Sequence, residues 1–180
     1  MTARPPAAGP PAGRPGGPRL RRLAADFESL RADFSGHPHV TVVPIGPVRP
    51  PESYRVAYRG VPGVVRCDES GVPTLADEHE VEITLTRGYP RERPLVRPLT
   101  PLFHPNITHD AFCLQDHWAA EQGLAAVVAK VADMIQYRVV NPQSPLDVRA
   151  ARWTVANRER LPVGHVDVGV AEFEIGLRRR

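Results

Sequence analysis

The chain has 180 residues, a formal charge of +3, 42% apolar and 24% charged residues, and two cysteines. That length holds one domain with a real hydrophobic core, and the balance is that of a globular protein rather than a fibrous or low-complexity chain. No apolar run reaches membrane-span length, and Cys67 and Cys113 are too few for a disulfide scaffold, so a reducing, cytoplasmic setting without a membrane is the expectation.

Residues 1–18 are proline, glycine and alanine with scattered arginine; they have little to bury and read as a disordered tail. The opening stretch also lacks the uninterrupted apolar core of a secretory signal. Five arginines and no acid lie within residues 1–22, and three arginines close the chain. Such ends suit anionic surfaces, but no aromatic–basic stripe accompanies them, so a nucleic-acid partner is not expected. From Arg19 the texture changes. Leu23, Phe27, Leu30 and Phe34 recur at spacings of four, three and four, the pattern of one helix face, and Gly36 and Pro38 end it.

Three strands follow. VTVVPIG (40–46) is weakened by its proline, SYRVAYRG (53–60) alternates, and HEVEITLTRG (79–88) puts Val81, Ile83 and Leu85 on one side. The segment 89–106 carries too many prolines for a central strand and reads as rigid extended chain with an edge strand. Leu124, Val127, Val128, Val131 and Ile135 restore helical periodicity, which NPQSPL (141–146) breaks. Residues 147–161 form a further helix, with Val148, Ala151 and Val155 near one face and Trp153 off it. VDVGVAEFEIGL (166–177) alternates like a strand or an exposed peptide. The order predicts an α+β domain over 19–162: an N-terminal helix, an antiparallel four-stranded meander, and C-terminal helices. A C-terminal extension over 163–180 would hold the last strand and an arginine tail.

HPNITHDAFCLQDHW (104–118) concentrates three of the seven histidines and one cysteine. His104, His109, Cys113 and His117 offer nitrogen and sulfur to zinc, but H-x4-H-x3-C-x3-H is not a paired-ligand spacing and no second cluster follows. A buried cysteine between Phe112 and Leu114 is the plain alternative, and Cys67 takes the same assignment. A nucleophile is the third reading.

In their order, YP (89–90), Pro94, HPN (104–106), CL (113–114), Trp118 and NPQSPL (141–146) resemble the framework of the ubiquitin-conjugating (E2) family, across roughly residues 20–160. The resemblance implies the fold of that family. It also implies a transferase that takes a ubiquitin-like modifier from an E1-like activating enzyme as a Cys113 thioester and passes it to a protein or other amine acceptor. By the same resemblance Asn106 supports the oxyanion and organises its loop, Ser144 borders the acceptor channel, and His104, Pro105 and Leu114 shape the active-site loop. ATP would be spent by the activating partner; no metal or bound organic cofactor is implied.

Several positions depart from the family pattern. Ser144 stands where many members carry an acid before the second proline; it can hydrogen-bond an amine but brings no negative charge. Asp110 and Asp116 are the nearby acids that would compensate, and each otherwise reads as a solvated loop residue. Asn106 to Cys113 spans seven positions, about one fewer than in familiar eukaryotic members, and Cys113 to Trp118 is compressed. Arg91, Ala119 and Ala120 alter the usual ligase-facing positions. The departures suit a divergent bacterial ubiquitin-like system, one with a JAB-type protease or a ligase and a role in antiphage defence. Ser144 and the altered ligase-facing positions keep one alternative, a catalytically inactive variant that binds a ubiquitin-like protein or scaffolds a complex, although Cys113 stands in register after HPN. The chain contains one lysine, Lys130, which leaves few amines for self-modification.

Overall fold

The computed structural model describes residues 16–114 and 118–169. The first element, α1 (Pro18–Phe34), starts with a proline in its first turn, where the missing N–H costs nothing. It ends as Ser35 becomes extended and Gly36 turns at φ 73°. Leu23, Leu30 and Phe34 are buried as the spacing predicts, while Phe27 is only partly covered. Asp26 shares the buried face.

The strands β1 (Val40–Pro44), β2 (Ser53–Cys67), β3 (Pro73–Thr84) and β4 (Leu95–Pro98) form one antiparallel sheet in the order β1-β2-β3-β4. Pro44 and Pro98 sit on the two edge strands, where a missing donor is tolerated. The register pairs Val42 with Val56, Val56 with Val81, and Ile83 with Val96. β2 runs seven residues beyond the alternating stretch read from the sequence, because Gly60, Pro62 and Gly63 occupy a break in register between Arg59 and Gly63 that hides the strand's period.

The helix α2 (Leu124–Ile135) lies against the sheet and buries Leu124, Val127, Val128, Val131 and Ile135 with Leu23, Val56, Val81 and Ile83. Its C-terminal end presses on β2 at Gly63. A Cβ there would stand 2.7 Å from Ile135 Cγ2 and 3.1 Å from the Ile135 carbonyl oxygen, so only glycine admits the helix this close. Tyr58 reaches up from β2 to donate its hydroxyl to the Val128 carbonyl at 2.9 Å.

The last helix, α3 (Val148–Ala156), is capped by Asp147, whose carboxylate accepts from the Ala150 N–H at 3.0 Å. Its buried face is not the expected one. Ala150, Ala151 and Thr154 face inward, while Val148 and Val155 are 55% and 59% exposed. Trp153 decides the orientation: its ring packs on Phe103 and Tyr137, and its Nε1 donates to the Gly71 carbonyl at 2.8 Å. A single-turn 3-10 helix follows at Arg158–Arg160. Residues 166–169 are irregular rather than a strand, and residues 170–177 of that expected strand lie outside the described residues, as does most of the expected N-terminal tail. Val168 is nevertheless buried, and Gln136 holds Val166 by exchanging two hydrogen bonds with its backbone.

Candidate active site

His104 to Cys113 closes into a miniature hairpin. Ile107 bridges back to His104 and across to Phe112, and the tip is closed by Thr108 N–H donating to the Ala111 carbonyl at 2.9 Å. The Cys113 N–H then donates to the Asn106 carbonyl at 2.8 Å. The short seven-position spacing is thus the length at which the cysteine comes to lie across from Asn106. Phe112 N–H donates to the Val96 carbonyl at 2.9 Å, which seats the hairpin on the edge of β4.

Asn106, only 2% exposed, uses its whole side-chain amide. Nδ2 donates to the carbonyls of Asn141 (2.9 Å) and Ser144 (3.1 Å), and Oδ1 accepts from the Asn141 N–H at 2.7 Å. The Pro105 carbonyl accepts from both Leu146 and Asp147 N–H, at 2.8 and 3.0 Å. HPN and NPQSPL, thirty-five residues apart, are therefore sewn into one unit.

His104 is equally buried. Its Nδ1 accepts from the Asn106 N–H at 3.0 Å, so the ring carries its hydrogen on Nε2, which turns toward the Val139 backbone without completing a well-formed hydrogen bond. Burial pushes the imidazole down to about 4, and it is neutral near pH 7. Its edge meets Tyr137, centroids 4.7 Å apart. Tyr137, at φ 60° just past α2, donates its hydroxyl to the Phe103 carbonyl at 2.6 Å and so supports the start of the turn. The ring is held as a structural piece.

Cys113 is partly exposed, whereas Cys67 is buried and its thiol is pushed up by burial. Ser144 is exposed, and its carbonyl serves Asn106. Asp110 stands at the exposed hairpin tip, where a hydrogen bond from Thr108 at 2.6 Å lowers its carboxyl; Asp116 lies outside the described residues. His109 is also at the tip, 92% exposed. His104 is inside the turn and His117 is outside the described residues; among the described residues, no three histidine, cysteine or acidic side chains gather as metal ligands.

Three groups were missed in the sequence. Asp26 accepts from Arg22 Nε (2.8 Å), the Tyr89 hydroxyl (2.5 Å) and the Leu124 N–H at the start of α2 (3.2 Å). Arg22 also donates to the Gln122 carbonyl at 2.5 Å and to the Ala120 carbonyl, which ties α1 to the chain beyond Trp118. Trp118 itself is part core and part surface: Nε1 donates to the Pro90 carbonyl at 2.7 Å, and its ring lies 5.9 Å from that of Tyr89. The available signal was an acid inside the apolar stripe of α1, one turn after Arg22. The third group, Lys130, donates from α2 to the Leu114 carbonyl at 2.5 Å.

The described arrangement is a partly exposed cysteine whose N–H is fixed on a buried turn, beside a loop that the same turn organises. The family model for ubiquitin-conjugating enzyme matches residues 75–162. Ubiquitin-conjugating enzyme E2 3 of Arabidopsis thaliana is 26% identical over 145 residues, covering 78% of this chain and 87% of that protein. Ubiquitin-conjugating enzyme E2 2 of Eremothecium gossypii is 28% identical over 139 residues, 74% of this chain and 73% of its own. Ubiquitin-conjugating enzyme E2 1 of Caenorhabditis elegans is 29% identical over 83 residues, 44% and 42% of the two chains. The helix, four-stranded meander and following helices have the fold of the ubiquitin-conjugating enzymes, and these matches make the chain similar to that family.

Proposed function

We propose that Cys113 accepts a ubiquitin-like modifier from an activating enzyme as a thioester and delivers it to an acceptor amine. The observation that carries this reading is Cys113 itself: a partly exposed thiol whose own N–H is anchored on the Asn106 carbonyl. In the first step the Cys113 thiolate attacks the carbonyl of the incoming thioester. A new C–S bond forms, the old one breaks, and the partner's thiolate leaves. In the second step an amine attacks the same carbonyl, a C–N bond forms, Cys113 leaves as thiolate, and the surplus proton passes to solvent. ATP is consumed by the activating partner.

Negative charge develops on the carbonyl oxygen during both steps. Asn106 is the amide that the family resemblance assigns to that oxygen, but both its N–H groups serve Asn141 and Ser144. Its support of the oxyanion therefore requires one N–H to leave the longer bond, that to Ser144. Ser144 lines the approach of the amine without supplying a negative charge, and Asp110 sits at the outer tip of the hairpin as the nearest described acid of the loop. The setting proposed is the cytoplasm, and no described helix is long and apolar enough to cross a membrane. A ligase or JAB-type protease as further partners, and a bacterial antiphage system, rest on the sequence departures alone.

The saturated Asn106 amide favours one rival, a variant that binds a ubiquitin-like protein without transferring it. The two are separated by incubating the protein with its activating enzyme, the modifier that enzyme charges, and ATP, then running nonreducing and thiol-treated gels. A higher-mass band that thiol removes, absent from Cys113→Ser, supports transfer. Absence of that band beside a charged activating enzyme supports the binding module.

A further inference from the structure

We propose that Lys130 is a positioning residue for Cys113, an inference that rests on the thioester reading above. The helix α2 reads LAAVVAKVADMI and carries two charged side chains. Asp133 faces Arg138 at 2.5 Å. Lys130 has no described carboxylate within 4 Å; it crosses to the main chain beside the nucleophile and donates Nζ to the Leu114 carbonyl. A bond from an ammonium to a carbonyl is stronger than one between neutral groups, and the long lysine stem packs along the helix while its head reaches a polar atom.

The consequence is an anchor on each side of the sulfur. Upstream, the Cys113 N–H is fixed on Asn106 at 2.8 Å. Downstream, Leu114 is 7% exposed and its carbonyl accepts from Lys130 at 2.5 Å. Only the Cys113 and Leu114 torsions lie between the two anchors, so the direction of the Cys113 side chain is defined from both ends. Misplacing a reacting atom by about 1 Å lowers a rate by on the order of a hundredfold, which is the effect such a brace guards against. Among the described residues no other side chain donates to the Leu114 carbonyl.

The test uses the full chain as wild type, Lys130→Met and Lys130→Arg. Each is loaded from a synthetic ubiquitin 2-mercaptoethanesulfonate thioester, so no activating enzyme is needed, and discharged onto free lysine at rising concentrations. The expected result for Lys130→Met is a plateau rate at least about fivefold lower, with the half-saturating amine concentration unchanged. Lys130→Arg, which keeps a cationic donor, returns to within about twofold of wild type. Amide exchange read by mass spectrometry should quicken in residues 106–114 of Lys130→Met while β2 and β3 stay protected. A wild-type plateau in Lys130→Met, or an arginine variant as impaired as the methionine one, overturns the inference. If wild type itself takes no acyl group on Cys113, the thioester reading falls, and exchange then decides the brace: unchanged protection of 106–114 overturns it too.

Discussion

The two sides of Cys113 are built by different means. Upstream, from His104 to Cys113, the chain is held by its own backbone and by the neighbouring 141–147 loop, through bonds that are short, buried and mutually redundant. Downstream, from Leu114 to Leu124, the described chain is held mainly through side chains: Lys130 from α2, Arg22 and Asp26 from α1, and the segment's own Trp118, whose indole donates to the Pro90 carbonyl. A backbone-sewn turn survives the loss of any one bond. A segment held by long side chains concentrates its stability in few atoms, and here Asp26 is the common acceptor.

That contrast gives an ordered set of tests. Asp26→Asn should show the largest effect on stability. It removes the negative charge beside Arg22 and replaces one of the two acceptor oxygens with a donor, so that the Arg22 and Tyr89 bonds and the Leu124 bond cannot all be kept, a loss of about 3 kcal/mol in urea unfolding. Amide exchange should rise across 118–124 and remain slow across 104–113. Asn106→Ala breaks the upstream side instead. Three hydrogen bonds vanish and the Asn141 and Ser144 carbonyls lose a donor, for about 2 to 3 kcal/mol, with exchange rising in 141–147 rather than 118–124.

His104 gives the upstream side a pH signature. Its folded value near 4 lies below its unfolded value of about 6.5, so the unfolded chain binds the proton first as pH falls. The neutral ring's contribution is complete above about pH 6.5 and is lost progressively toward pH 4. Between pH 7 and pH 5 it amounts to about 2 kcal/mol. His104→Gln should flatten the stability profile over that window. An unchanged slope would mean that the turn takes up the proton without opening. Gly63→Ala, on neither side, serves as the control for general loosening. The Cβ it adds meets Ile135 at 2.7 Å, and a loss of about 1 to 2 kcal/mol is expected without selective exchange on either side of Cys113.

The same contrast explains what could be read from the sequence. The helical stripes of α1 and α2 and the alternation in β2 and β3 are local periodicities, and they located those elements, although β3 begins at Pro73, six residues before the stretch read as a strand, and ends at Thr84, four before its end. HPN and NPQSPL are short turn-forming strings, so their positions were visible too. Their joining through Asn106 was not, because an amide's partners thirty-five residues away leave no periodic trace. Asp26 and Lys130 were unreadable for the same reason: each looks like an ordinary charged residue on a helix until the distant carbonyl or hydroxyl it meets is in place. The inward face of α3 was misjudged because two small alanines and a threonine, rather than the valines, lie under Trp153. The β2 extension past Arg59 was lost at a bulge holding a proline and two glycines.

The most direct measurement of the central claim is the location of the acyl group. The protein charged by its activating enzyme would be digested under mildly acidic, thiol-free conditions, and the modifier remnant mapped by mass spectrometry. A remnant on Cys113, with Cys67 unmodified and a Cys67→Ser variant charging normally, is the result the structure predicts. A remnant on Cys67, or a thiol-labile adduct that persists in Cys113→Ala, would contradict it.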